Sequence, residues 1–322
     1  KRWQSYSQAF GPFLTETYVR DFNFYAQDQW RLTNKLTLNY GLRYEYAQFA
    51  QPTRINPDYP QTGTINQPNK NFAPRIGIAY ALGDKTVLRA GYGIFYARFP
   101  SATISRLHQL NGVVQRALTL QGNNATDRAA GPVFPNRLAD LDRNPPQGTV
   151  TVAFAEGNLA TPYTQQGDLS IEREITRDMG ITVSYLWNRA LKSMTRRDLN
   201  IGPTAGTFTY RINDASGAQV GSYTTPIYVN ANRVDRRYAR VVQIENGGRV
   251  WYDGLAVQFR RRASKWLEGT VAYTWSHARD LNQGGASNNV FFTDGPATMF
   301  NGDYSAEKGT SILDQRHRAR AR

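Results

Sequence analysis

The sequence predicts an all-β fold: a transmembrane antiparallel β-barrel segment of about eight strands in four hairpins, belonging to a larger barrel. Three observations predict it. Long stretches alternate apolar and polar residues with period two. The stretches pair across turns of three to five residues. The pairs are separated by much longer connections, at residues 50–71, 97–162, 190–249 and 278–311. Compact soluble domains seldom carry structureless loops beyond about 15 residues. Membrane barrels do so on one side, with short periplasmic turns opposite long extracellular loops.

The first hairpin places Phe22, Phe24, Ala26 and Trp30 against Leu36, Leu38, Tyr40, Leu42, Tyr44 and Tyr46. The intervening positions, among them Asn23, Gln27, Gln29, Thr37, Asn39 and Arg43, are polar or small. A helix would need apolar residues at i, i+3 and i+4, which this segment lacks. The second hairpin runs from Phe72 to Leu82, turns at 83–85, and returns from Leu88 to Tyr96. The third sets Leu169, Ile171 and Ile175 against Ile181, Val183, Tyr185 and Trp187 across a turn at 176–178. The fourth sets Leu255, Val257 and Phe259 against Leu267, Val271, Tyr273 and Trp275 across a turn at 263–265. Each run suits the roughly 9–11 residues of a membrane-crossing strand. Trp30 and Trp266 lie beside short turns, whereas Tyr46, Tyr96, Trp187, Trp251 and Trp275 lie where strands enter long loops. Aromatic rings at both ends predict interfacial girdles.

Composition narrows the class further. The chain has no cysteine, which excludes disulfides and thiolate metal sites. Mean hydropathy is −0.58, and no run reaches the roughly 18–20 apolar residues of a membrane helix. Only alternate residues of a barrel strand meet lipid, so a low mean is compatible with a barrel. The net charge of +14 points to nucleic acid, anionic lipid or an anionic ligand as partner, and of these nucleic acid is not expected for an outer-membrane barrel. The chain opens on Lys1-Arg2-Trp3 without an initiator Met or signal-peptide core, and it closes on Ala-Arg repeats after Arg318. Those repeats are expected to interrupt the strand that Asp314–Arg318 begins, as in a truncated piece.

No catalytic constellation is present. His108, His277 and His317 are far apart and lack metal-ligand spacing. Asp168, Glu172 and Glu174 share one strand face, as a polar lumen wall requires. Asn124-Ala125-Thr126 matches a glycosylation sequon with no expected role. Residues 189–262 hold thirteen Lys/Arg against five Asp/Glu, a net of +8. Within them Arg196, Arg197, Arg236 and Arg237 are the candidate contacts to lipopolysaccharide or an anionic ligand, because guanidinium forks match phosphate oxygens. A solvated loop surface is the competing reading. No enzyme activity and no cofactor is expected.

The run Phe24-Tyr25-Ala26-Gln27-Asp28-Gln29-Trp30-Arg31, followed by Leu36-Thr37-Leu38-Asn39-Tyr40-Gly41-Leu42-Arg43-Tyr44-Glu45, resembles the barrel of TonB-dependent outer-membrane receptors. Asn71-Phe72-Ala73-Pro74-Arg75, Leu88-Arg89-Ala90-Gly91-Tyr92, Tyr252-Asp253-Gly254-Leu255 and Asp314-Gln315-Arg316-His317-Arg318 extend the likeness. The pattern is most similar to the Oar-like group, whose members carry a carboxypeptidase-regulatory-like domain. The resemblance implies a bacterial outer-membrane protein whose barrel has about twenty-two strands around a plug. It also implies energised uptake of a nutrient ligand through the inner-membrane TonB complex. Residues 1–322 would then be a partial barrel domain without the plug. A passive porin-like or adhesive barrel is the alternative, and a secreted soluble β-rich binding module is a third.

Overall fold

The computed structural model describes residues 3–12, 15–138, 150–262, 268–281 and 304–322. Its strands in chain order are β1 (Ser5–Phe10), β2 (Val19–Arg31), β3 (Leu36–Phe49), β4 (Asn71–Gly83), β5 (Thr86–Tyr96), β6 (Arg116–Gln121), β7 (Val150–Ala155) and β8 (Tyr163–Thr176). They continue with β9 (Met179–Asp198), β10 (Gly206–Asn213), β11 (Gln219–Ile227), β12 (Tyr238–Arg261), β13 (Gly269–Leu281), β14 (Lys308–Thr310) and β15 (His317–Ala321). The main sheet runs β2-β3-β4-β5-β8-β9-β12-β13, with β14 and β15 both on the far side of β13. Its neighbours are antiparallel except β7, which lies parallel to β12. The path is open: β2 does not pair with β15.

The four predicted hairpins are therefore β2/β3, β4/β5, β8/β9 and β12/β13. The first three close over residues 32–35, 84–85 and 177–178. In the first turn, the Lys35 and Leu36 backbone N–H groups donate to Thr33 Oγ1 at 3.1 and 3.0 Å. The turn expected at 263–265 and the flanking Trp266 and Leu267 lie outside the described residues.

Register shows why the alternation matters. Directly opposed residues of neighbouring strands share a face. One rung reads Trp30, Leu38, Ile78, Ala90, Leu169, Tyr185, Leu255, Trp275, His317 across nine strands. The next reads Leu36, Tyr80, Leu88, Ile171, Val183, Val257, Tyr273, Ala319. On the opposite face the adjacent rung is polar or small apart from Leu186: Gln29, Asn39, Gly77, Gly91, Asp168, Leu186, Gly254, Ser276. The apolar face is exposed, with Ile78 38%, Leu169 49% and Trp275 53% accessible. A soluble sheet would cover such a surface; an exposed apolar face of this extent needs lipid.

The apolar band does not follow one rung. On β2 it reaches Phe22, eight positions from Trp30, whereas on β13 it stops at Trp275, which shares the Trp30 rung. Seven strand steps separate β2 from β13. With about 3.3 Å per residue and about 4.8 Å per strand, the strands tilt about 38° against a flat band. Membrane barrels require a tilt of roughly 35–45°.

Two expectations change. The connection 190–249 is largely strand: β9 runs to Asp198 and β12 starts at Tyr238, both beyond the apolar band. The Ala-Arg tail also does not interrupt the wall. β15 pairs with β13, setting Ala319 and Ala321 on the apolar face and Arg318 and Arg320 on the polar one. Alternation, not hydrophobicity, is what the ladder needs, and Ala-Arg supplies it.

The long connections pack together at the loop end. Phe49, Ile65, Phe99, Ile104, Leu107, Ala153, Ala155, Leu159, Val242 and Ile244 form a buried core. It joins helix α1 (Ser101–Gln109) and β7 to the extended part of β12. Phe49 and Phe99 meet edge to face, with centroids 4.7 Å apart. The separate β10/β11 hairpin is exposed along its length.

The two faces make unequal predictions. Ile78→Arg puts a charge on the apolar face at mid-strand and should cost about 2–4 kcal/mol of stability in a bilayer. Ala79→Arg, one residue on, should cost much less. Unfolding of the two variants from lipid vesicles checks this, and equal losses would contradict the assignment of faces.

Candidate functional site

Two regions gather polar side chains: the polar inner face of the sheet and the base of the packed loops.

On the inner face, Gly77 of β4 stands opposite Gly91 of β5, and Gly93 stands opposite Arg75. A Cβ at Gly91 would lie 2.5 Å from Asp168 Oδ1, and one at Gly93 would lie 2.9 Å from the Phe95 ring. These bare positions therefore let the Asp168 carboxylate and the Phe95 ring lie flat on the wall. The Arg75 guanidinium in turn sits 4.5 Å above the Phe95 ring, a cation–π arrangement. A groove of about 860 Å³ beside them is lined by Tyr25, Gln27, Asn39, Arg43 and Arg75, among others. Glu172 pairs with Arg89 at 3.1 Å, both half exposed. The Asp168, Glu172 and Glu174 stripe is thus a lumen wall.

The histidines remain apart. His108 Nε2 lies 2.9 Å from the Ala50 carbonyl, and burial pushes its imidazole below the ordinary value. His317 Nδ1 meets the Tyr273 hydroxyl at 2.7 Å. Among the described residues no cluster of His, Asp or Glu could hold a metal ion.

At the loop base, Arg237 grips Asp235 with two donors, Nε to Oδ1 at 3.0 Å and Nη2 to Oδ2 at 2.8 Å. Its third donor, Nη1, reaches Asp58 Oδ1 at 2.9 Å. The Tyr238 hydroxyl donates to Asp58 Oδ2 at 2.7 Å, and that of Tyr59 donates to Asp235 Oδ2 at 3.3 Å. Asn200 closes the network, donating to the carbonyls of Asp235 and Tyr238 at 2.9 and 2.8 Å. The Tyr238 hydroxyl and the Arg237 guanidinium hold the Asp58 carboxyl below its ordinary range. Arg237 does the same for Asp235. Burial, reinforced by the Asp235 charge, pushes the Tyr59 phenol up to about 12.

The four arginines singled out by sequence thus fall into different settings. Arg197 contacts the buried Glu245 carboxylate at 3.3 Å, which also accepts from the Tyr304 hydroxyl at 2.7 Å. Arg196 is its neighbour on β9, opposite Ile244. Arg236 is exposed, and Arg237 is the hub of the carboxylate network. The four differ in their contacts, two of them being bound to carboxylates of the chain itself. The partners Asp58, Tyr59, Asn200 and Tyr238 are invisible to spacing, because they come from two separate long connections, 50–71 and 190–249. The Asn56-Pro57-Asp58 turn was their only local signal.

Residues 2–322 match the family model described as the outer membrane beta barrel domain. No curated protein matches the chain. Among solved structures, the outer membrane transporter YddB from Escherichia coli aligns with a TM-score of 0.46 at 11% identity, over 82% of this chain and 25% of that one. The FrpB iron transporter from Neisseria meningitidis aligns at 0.44 and 12%, over 82% and 26%. The siderophore receptor PirA from Pseudomonas aeruginosa aligns at 0.42 and 13%, over 81% and 36%. The chain spans about a quarter to a third of the length of these structures.

Arg237→Gln should untie the loop base. Hydrogen exchange in residues 56–62 and 235–238 should speed up at neutral pH while the β8–β9 ladder stays protected. Both carboxyls are depressed in the folded protein, so their contribution is complete above the ordinary aspartate range. It is lost as pH falls through the depressed values, below about pH 4. The wild-type loop should therefore stay protected at pH 5 and loosen only below about pH 4. Unchanged protection in the variant would refute the tether.

Proposed function

The chain belongs to the outer membrane beta barrel domain family, a wall of the bacterial outer membrane, and from that premise we propose that it is part of a receptor for TonB-dependent uptake of a nutrient ligand. The carrying observation is the inner face: mostly polar or small from β2 to β13, interrupted by Tyr25, Phe95 and Leu186, with glycines at Gly77, Gly91 and Gly93. Such a face suits a wide lumen that holds a folded plug. The sequence likeness over Phe24–Arg31 and 36–45 to TonB-dependent receptors, nearest the Oar-like group with its carboxypeptidase-regulatory-like domain, supports the same reading. In this reading residues 1–322 are a partial barrel domain, the packed loops are the ligand-facing surface, and the protein is a receptor, not an enzyme. Arg196, Arg197, Arg236 and Arg237 are proposed anion contacts at that surface, Arg236 and Arg237 being the exposed pair. Arg197 and Arg237 serve that role only if a ligand displaces their carboxylates.

A passive pore is the rival, and conductance separates the two. The full-length protein, purified from outer membranes, is placed in planar bilayers and also offered the periplasmic domain of the energy-coupling TonB protein. Uptake by a plugged receptor predicts no steady conductance and capture of that domain. Stable open-channel current without capture would overturn the proposal in favour of a porin-like barrel.

A further inference from the structure

Trp251 projects from the apolar face of β12, four residues beyond Leu255 toward the loop end. Arg189 of β9 and Arg279 of β13 stand directly opposite it on either side. The Lys308 ammonium of β14 lies 4.9 Å from the Trp251 ring centroid. One tryptophan is therefore framed by three cations on the face that meets lipid, outside the lumen and apart from the loop tether.

The three cations are not equivalent. Arg189 is engaged within the wall: it holds Asp253 Oδ1 at 2.7 Å and donates to the Tyr252 and Asn188 carbonyls at 2.7 and 2.9 Å. The Tyr185 hydroxyl donates to the same Asp253 oxygen at 2.7 Å. That carboxylate is thus already neutralised. Arg279 also faces that carboxylate, so the group as a whole carries more cations than anions, with Lys308 exposed and Arg279 half-buried. The Arg279 Nε is buried with no hydrogen-bond partner among the described residues.

Depth selects the ligand. Four residues of tilted strand place Trp251 about 10 Å beyond the Leu255 rung. An indole at that height belongs at the headgroup level, where amphipathic rings are stable. Arginine and lysine stems lie along the apolar surface there and lift their charges to the phosphate layer. The long-loop end of the wall is the extracellular end, so the layer in question is the outer leaflet. We propose that Trp251, Arg279 and Lys308 form a site on the outer wall for the phosphorylated headgroup of an outer-leaflet glycolipid, lipopolysaccharide. Lys308 and Arg279 meet the phosphate and Trp251 seats the sugar–acyl boundary. The site rests on the membrane placement of the wall and not on the uptake reading, so either can fail alone.

The test uses the full-length protein, delipidated in mild detergent, and native mass spectrometry with three probes: bis-phosphorylated lipid A, dephosphorylated lipid A and inorganic phosphate. Each cation at an anionic surface contributes roughly fivefold. Arg279→Gln with Lys308→Gln should weaken phosphorylated lipid A about thirty-fold and leave dephosphorylated lipid A unchanged. Lys308→Gln alone, on a short exposed strand that cannot disturb the wall, should give about fivefold. Inorganic phosphate should compete only at millimolar levels. Wild-type affinity in both variants, or equal binding of the two lipids to the wild type, would overturn the site. Displacement by micromolar phosphate would instead show a free-anion site and overturn the lipid assignment.

Discussion

Backbone hydrogen bonding governs everything else in this wall. In hydrocarbon there is no water to satisfy a peptide N–H or C=O, and each unpaired group costs several kcal/mol. Each strand must therefore be bonded on both sides. β12 shows this within the membrane: β9 occupies one side from Val250 to Arg261 and β13 the other over the same residues. Among the described residues, β2 on one side and β14 and β15 on the other leave open edges. A bilayer demands further strands there, which makes the sheet a segment of a larger cylinder.

Once the ladder fixes the rungs, period-two sequence decides which environment each side chain meets. The Trp30-to-His317 rung meets lipid, and the Gln29-to-Ser276 rung meets the lumen. The strand tilt then shifts the lipid band across the rungs. As a consequence, the same rung that is lipid-embedded at Tyr40 carries Asp253 and His277 at the other end of the sheet. Charged residues on the outward face of β12 and β13 are therefore interfacial, while the loop core above them is held by ordinary packing and by the Arg237 tether. Gly77, Gly91 and Gly93 belong to the lumen side, where Asp168 and Phe95 fold over the latter two.

The hairpins, their faces and their girdles were legible in sequence because each depends on neighbours two residues apart or on a short turn. The third and fourth hairpins were read from runs such as Ile181, Val183, Tyr185 and Trp187, and these residues do share one face. What was not legible depends on distant partners. Residues 191–198 and 238–248 lack the apolar alternation of a lipid-facing strand, because both faces there meet water or loops, so they read as loop. β7 joins β12 through Val152 and Phe154, which reveal no partner locally. The Ala-Arg tail lacks the hydrophobic run of a typical wall strand, yet its alternation is enough to pair with β13. Of the candidate arginines, Arg237 stood out by charge, but its partners Asp58 and Tyr238 come together only when two long connections meet.

The tilt is the feature that ties sequence pattern to membrane geometry, and spin labels can measure it. Single labels at Phe22, Trp30 and Trp275 in lipid vesicles, read by oxygen and nickel-chelate accessibility, report depth. A tilted wall predicts that Phe22 and Trp275 both lie near the outer interface while Trp30, on the Trp275 rung, lies near the inner one. Equal depth for Trp30 and Trp275, with Phe22 far outside the bilayer, would contradict a tilted barrel wall.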